Sequence, residues 1–125
     1  MKLPNYDNAL VAREKIVDHS LSLAHRDGRS KAIFFFSFGF SIETWETLAA
    51  ALRHQAAAHE VAKIESTPFG ARYVVEGKLA APDGRTPLVR VVWFVDTGEA
   101  APRLATAYTI ERQRRRWLVA RRSIR

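Results

Sequence analysis

The second half of the chain constrains the fold most, because turn-forming residues interrupt it at three places. Residues 72–79 and 103–110 alternate between apolar and polar side chains, and residues 88–95 are β-branched and aromatic apart from Arg90, which predicts a central strand buried on both faces. The interruptions are Thr67-Pro68-Phe69-Gly70, Pro82-Asp83-Gly84 and Thr97-Gly98-Glu99. A period of two residues is typical of β-strands. The pattern therefore predicts a four-stranded antiparallel meander with strands over 61–65, 72–79, 88–95 and 103–110.

The first half has helical spacing instead. It predicts helices over 11–23, over 29–38 and from Ser41, a good N-cap, to near His59, with Gly39 just beyond the end of the second helix. Helices followed by a run of strands indicate an α+β fold, here three N-terminal helices packed on one face of the sheet.

The positive charge of the chain is concentrated at its C-terminus. The net charge is +7 over 125 residues, but residues 1–110 hold 13 Lys and Arg against 12 Asp and Glu, a balance of +1. Residues 111–125 hold seven Arg and one Glu, a balance of +6. We therefore predict a nearly neutral domain over 1–110 and an arginine-rich extension over 111–125, a weak basis for nucleic-acid binding by itself.

The composition excludes several function classes. Cysteine is absent, which excludes disulfides, thiol catalysis and cysteine-ligated metals. No apolar run approaches the roughly 20 residues that span a bilayer, and the first residues do not resemble a signal peptide. The four histidines lack metal-binding spacing, and no glycine-rich phosphate loop is present. We expect a cytoplasmic protein without a membrane span, metal or other cofactor.

General acid–base chemistry is the remaining catalytic option. His25 titrates near neutral pH, and the nearby Arg29 and Lys31 would stabilise charge on a phosphoryl oxygen. In metal-free RNA cleavage the 2′-hydroxyl is the nucleophile, so the protein need only move protons and bind the phosphate. Alternatively, these residues only flank the start of a helix, with solvated charges and Asp27 paired to Arg29.

The last two strands add a second group of candidates. Arg90 and Trp93 lie on the third strand, and we expect Leu104, Thr106 and Tyr108 together on one side of the fourth. A hydroxyl and an arginine on one sheet face would complete an anion site with the histidine. The alternative is that they border the core, Tyr108 burying its ring and keeping its hydroxyl in water.

Many short motifs resemble a family of short bacterial proteins, the domain of unknown function numbered 6883. The resemblance extends from residue 2 to about 110 and excludes the arginine-rich extension. It rests on Lys2-Leu3-Pro4-Asn5, His25, Gly28-Arg29-x-Lys31-Ala32, Gly39-Phe40, Trp45, Gly70-x-Arg72-Tyr73-Val74-Val75, Gly84-Arg85, Val89-Arg90-x-Val92-Trp93 and Pro102-Arg103-Leu104-x-Thr106-Ala107-Tyr108.

A Trp-bearing strand followed by a Thr-Ala-Tyr strand is also remotely similar to the barnase–EndoU–colicin–RelE class of ribonuclease toxins. That resemblance implies His25 as general acid or base, assisted by Thr106. It implies phosphate binding by Arg29 and Lys31 together with Arg72 or Arg90. It also implies RNA as substrate and a small antitoxin-like partner protein.

Two functions follow from the sequence. The first is a metal-independent endoribonuclease-like toxin domain of a toxin–antitoxin-type pair. The second is a non-catalytic binding module that forms a complex with a small partner protein. The first requires histidine, arginine and threonine to converge on one open site, and the second expects them dispersed, with an exposed apolar patch or bare sheet edge elsewhere.

Overall fold

A computed structural model describes residues 1–21 and 29–110 of the chain. A 3₁₀ turn, Tyr6–Asn8, precedes three α-helices, which are α1 Arg13–Lys15, α2 Arg29–Ser37 and α3 Trp45–Ala58, and a π-helical turn, Ile16–Ser20, continues α1. The strands are β1 Val61–Thr67, β2 Gly70–Lys78, β3 Leu88–Asp96 and β4 Arg103–Thr109.

The four strands form one antiparallel sheet in the order β1-β2-β3-β4. The predicted meander and the α+β class are therefore confirmed. The strand boundaries differ from the predicted ones by two residues at most, because the turn residues between the strands mark where pairing stops.

The position of the second helix agrees with its predicted position. The first helix changes its helical type along its length, and the third helix begins later than predicted. Gly39 follows α2 with φ of +97°, a conformation that costs glycine little. The third helix starts at Trp45 rather than beside Ser41, whose Oγ instead accepts a 3.3 Å bond from the backbone N–H of Thr44 and closes a preceding turn.

The predicted helix over 11–23 is present over residues 13–20, but its second part, Ile16–Ser20, is π-helical. Three α-helical residues are followed by a wider turn in which the N–H of Leu21 donates to the carbonyl of Ile16 at 2.7 Å. This five-residue step brings both side chains into the interior, where each is fully buried. The end of the predicted helix lies outside the described residues.

One buried cluster joins side chains from the helical half to side chains from the sheet. Gln55 is the buried polar member of α3, and its Nε2 donates to the carbonyls of Val89 at 3.0 Å, Val75 at 3.3 Å and Gly77 at 3.4 Å. These bonds tie α3 to two central strands. Large members of the cluster are Leu3, Ile16, Leu21, Phe35, Leu48, Leu52, Val75, Leu79, Trp93 and Leu104.

The two faces of the sheet have different compositions. Val75, Val91 and Trp93 project into the buried cluster, so the residues that alternate with them lie on the opposite side, here called the outer face. The strands contain eight charged residues, and the register places all of them on the outer face. They are Lys63, Glu65, Arg72, Glu76, Lys78, Arg90, Asp96 and Arg103.

A β-bulge in β4 corrects the predicted alternation of that strand. Val92 pairs with Thr106, but the next residue, Trp93, pairs with Leu104, so Ala105 is an extra residue. Leu104 consequently faces the core, at 2% exposure, whereas Thr106 and Tyr108 lie on the outer face. The expectation that the three share one side was wrong because an inserted residue reverses the alternation.

Candidate functional site

The first contact of the site joins α2 to the edge strand β4. Lys31 lies near the start of α2, and the residue after it, Ala32, is fully buried. Its Nζ donates to Thr106 Oγ1 at 2.8 Å. Since Thr106 is on the outer face, the long lysine side chain passes the edge of the sheet and brings its charge to that face.

The second contact is a row across three strands. Glu76 is paired with Arg90, and Arg90 with Tyr108. The guanidinium donates to Glu76 Oε1 through Nε at 3.0 Å and lies 3.0 Å from the same oxygen through NH2. Its NH1 donates to the Tyr108 hydroxyl at 3.2 Å. The arginine is thereby held between an acid and a phenol.

Both cations also lie near the Tyr108 ring. Lys31 Nζ is 5.9 Å from the ring centroid, and the guanidinium carbon of Arg90 is 5.5 Å from it. These distances are within the range of cation–π attraction. Lys31, Glu76, Arg90, Thr106 and Tyr108 thus form one connected group, which we call the Lys31 cluster.

The hydrogen bonds of this cluster leave donors available. A hydroxyl carries one donor and two acceptor lone pairs. In Thr106 a lone pair accepts from Lys31, and in Tyr108 one accepts from Arg90. Within residues 1–21 and 29–110, neither hydroxyl proton is donated to another side chain or carbonyl, so each can be donated to a bound ligand. Lys31 has three N–H donors and uses one of them on Thr106. The cluster is suited to binding an anion.

Arg90 keeps its positive charge in this setting. Its pKa is raised above the ordinary value, first by the hydrogen bond to Tyr108 and further by the nearby Glu76 carboxylate, although partial burial acts in the opposite direction. An arginine held in this way is a fixed cation over the whole physiological range.

The structure brings together four of the seven candidate residues: Lys31, Arg90, Thr106 and Tyr108. Arg72 shares the outer face but lies four residues along β2 from Glu76, and its NH1 is 3.7 Å from Glu65 Oε2. His25 lies outside the described residues. Arg29 is the first residue of α2.

Glu76 is the member of the cluster that sequence reasoning missed as a site residue. The alternation of β2 put Glu76 on the polar side with Arg72 and Lys78, which was the available signal. Its importance comes from the register, which sets it directly opposite Arg90.

Two further observations bear on function. Among residues 1–21 and 29–110, no three His, Asp or Glu side chains are grouped as a metal site would require. In the same part of the chain, no helix combines the length and apolar character needed to cross a membrane.

The chain belongs to the family described as Domain of unknown function (DUF6883), whose model matches residues 2–111. The family identified from the motifs is therefore confirmed. No curated protein matches the chain.

Among solved structures, the chain is similar to one in a contact-dependent growth inhibition toxin–immunity protein complex from Klebsiella pneumoniae 342. The TM-score is 0.58 at 14% identity, and the alignment covers 83% of this chain and 95% of that chain. At this identity the similarity shows a shared fold.

Proposed function

We propose that this protein is a metal-independent endoribonuclease-like toxin domain with its reaction site at the Lys31 cluster. The observation that carries the proposal is the pair of hydroxyls, on Thr106 and Tyr108, that each accept from a cation and keep a proton to donate. Such an arrangement suits a phosphoryl group whose oxygens gain negative charge during reaction. The proposal takes the three helices to be packed on the opposite face of the sheet.

The reaction consists of an attack by the RNA 2′-hydroxyl oxygen on the adjacent phosphorus. A general base removes the hydroxyl proton, and the bond from phosphorus to the 5′-oxygen breaks. A general acid supplies a proton to that oxygen. The products are a 2′,3′-cyclic phosphate and a 5′-hydroxyl end. We assign one of the two proton transfers to His25, whose ordinary pKa near 6.5 suits either role.

The remaining residues have binding roles in this proposal. Lys31 and Arg90 offset the charge of the phosphorane, and Thr106 and Tyr108 donate hydrogen bonds to its oxygens. Arg29 and Arg72 contact neighbouring phosphates. Glu76 holds Arg90 in place and contributes a carboxylate to the Lys31 cluster, which makes it the second candidate for the base.

The similar structure supports a role beside a small partner protein. That structure is a complex of a contact-dependent growth inhibition toxin with its immunity protein. By analogy, we propose that a small antitoxin-like protein binds this chain and limits its activity. The fold alone does not determine function, so the analogy only adds to the argument from the cluster.

The proposal is tested by incubating total bacterial RNA with the purified protein in EDTA. Thr106→Val keeps the shape of the side chain and removes the hydroxyl, and Lys31→Met removes the charge. Losing one such donor is expected to lower the cleavage rate by about 10²–10³-fold. Lys2→Met, which alters a lysine bonded to the carbonyl of Ala57 at the end of α3, is the matched control.

We expect the control to cleave like the original protein, and we expect His25→Ala to be inactive with its fold intact. Cyclic phosphate ends on the products would identify the reaction. Equal cleavage by all variants would contradict the assignment of the site, and no cleavage by the folded original protein would contradict the activity.

A second candidate function is the non-catalytic binding module, and one observation favours it. Phe69, in the β1–β2 turn, is 78% exposed. Its carbonyl accepts from the N–H of Thr97 at 3.0 Å, and its N–H donates to Thr67 Oγ1 at 3.2 Å, so an apolar ring is presented on a fixed turn. A protein that binds a co-expressed small partner, loses it on Phe69→Ser and never cleaves RNA would support this function.

A further inference from the structure

The outer face carries a second cluster that the proposed reaction does not use. Phe94 on β3 is paired with Arg103 on β4, and the guanidinium carbon of Arg103 lies 5.0 Å from the centre of the Phe94 ring. Asp96 fixes the guanidinium through two oxygens, at 2.7 Å from Nε and 3.2 Å from NH2. The Arg103 guanidinium is thus held over an aromatic ring.

A glycine makes room for that ring. A Cβ atom on Gly70 would lie 2.8 Å from Cε1 of Phe94, and it would also collide with the carbonyl oxygen of Val95. The ring therefore lies against bare backbone on β2. We call Phe94 and Arg103 the stacking pair, because each carries a planar group on which a base can stack. The side chain of Arg103 remains 47% exposed.

The stacking pair and the Lys31 cluster lie at different positions along the same strands. Phe94 is four residues from Arg90 on β3, which corresponds to roughly 13 Å at the rise of an extended strand. A phosphate bound at one cluster and a base resting on the other would therefore belong to the same short stretch of a nucleic acid strand.

The outer face also carries a net positive charge. The outer-face strands contribute five cations and three anions, and Lys31 raises the cations to six. These residues give the outer face a net charge of +3, although the balance over residues 1–110 is only +1. A positive surface of this kind attracts a polyanion even when the total charge of the domain is small.

We infer that the outer face binds an extended single-stranded nucleic acid, with one base stacked on the stacking pair and a phosphate at the Lys31 cluster. Planar guanidinium and aromatic groups stack on bases of any sequence, and a basic surface follows the backbone. A duplex hides its bases and would not use the stacking pair. The inference deepens the proposed function, because it says that the RNA substrate is single-stranded. That the bound phosphate is also the one that reacts rests on the proposed function.

The test measures binding apart from cleavage. The probe is a fluorescein-labelled 2′-O-methyl oligouridylate of about eight nucleotides, within the span of known single-strand sites. Blocking the 2′-oxygen removes the nucleophile, so the probe is bound but not cut. Affinity is read by anisotropy, and inorganic polyphosphate, which has charge but no bases, serves as competitor.

Arg103→Lys keeps the charge but loses the plane, and Phe94→Leu keeps apolar bulk but loses the ring. Each is expected to weaken binding of the oligonucleotide by about 5- to 150-fold, the measured range for one stacked base. Polyphosphate should bind each variant as it binds the original protein. Tyr6→Leu, which alters a half-exposed aromatic residue of the 3₁₀ turn that contacts α3, is the control and should change neither affinity.

The outcomes separate this inference from the proposed function. Oligonucleotide binding unchanged in both variants overturns the inference even if the protein cleaves RNA. Equal loss for oligonucleotide and polyphosphate also overturns it, because the pair would then supply charge alone. Selective loss for the oligonucleotide in a protein that never cleaves RNA supports the inference and contradicts the proposed activity. Melting temperatures of the variants exclude loss through unfolding.

Discussion

The two faces of the sheet are built from alternate residues of the same strands, yet they differ in almost every property. One face contributes Val75, Val91 and Trp93 to the buried cluster, and Gln55 of α3 donates to the carbonyl of Val89. The other holds every charged residue of the strands. The alternation of the strands therefore collects their charged side chains on one face, although Val74 and Val92 on that face are also buried.

The largest expected effect belongs to the core face. Trp93 is fully buried at the centre of β3, and Trp93→Ala should lower the free energy of unfolding by about 3–5 kcal/mol. Tyr108→Ala, on the outer face of the adjacent strand, should cost far less. Urea unfolding of both variants measures the contrast. Similar losses of unfolding free energy in the two variants would contradict the view that the core face contributes more to stability than the outer face.

The second prediction concerns Ala105, the extra residue that determines which side chains of β4 face the core. Deleting Ala105 restores simple alternation, so either Leu104 leaves the core or Thr106 and Tyr108 enter it. The first alternative alone resembles removal of a buried leucine, which costs about 2–5 kcal/mol. Thermal unfolding should show this loss, and RNA cleavage should fall with it. Ala105→Ser, which retains the extra residue, should leave both nearly unchanged, and an active, stable deletion variant would refute the role of the bulge.

The third prediction concerns close packing on the core face. A Cβ atom on Gly77 would overlap the ring of His59, lying only 2.7 Å from Nε2. Gly77→Ala should therefore destabilise the fold by about 1–3 kcal/mol through overpacking. Adding His59→Ala should recover much of that loss, and a double-mutant cycle measures the coupling. Purely additive effects would show that the ring is not the obstacle.

The smallest expected effect belongs to an exposed pair on the outer face. The hydrogen bond from Arg103 lowers the pKa of Asp96 below its ordinary value. A depressed carboxyl pKa stabilises the folded state above the unfolded pKa, about 3.9, and this contribution disappears as the pH falls through the folded pKa. Asp96→Asn should therefore lower the melting temperature slightly at pH 7 and not near pH 2. An equal difference at both values would contradict the electrostatic origin.

Much of the sheet could be predicted from the sequence, because its turns contain proline, glycine and aspartate and its strands alternate. The bulge could not, since Ala105 is small and carries no signal, and simple alternation grouped Leu104 with Thr106. The contact between Lys31 and Thr106 joins residues 75 positions apart, and only the packing of α2 beside β4 creates it. Glu76 likewise became a site residue through register rather than through local pattern.

The central claim, that one face stabilises and the other binds, is tested most directly by NMR. The uncleavable 2′-O-methyl oligouridylate would be titrated into labelled protein while side-chain methyl resonances are followed. We expect large chemical-shift changes for the methyl group of Thr106 and smaller ones for Leu52 and Val75, which are buried in the core. Shifts centred on the α3 side or on the Phe69 turn, with Thr106 unchanged, would contradict it.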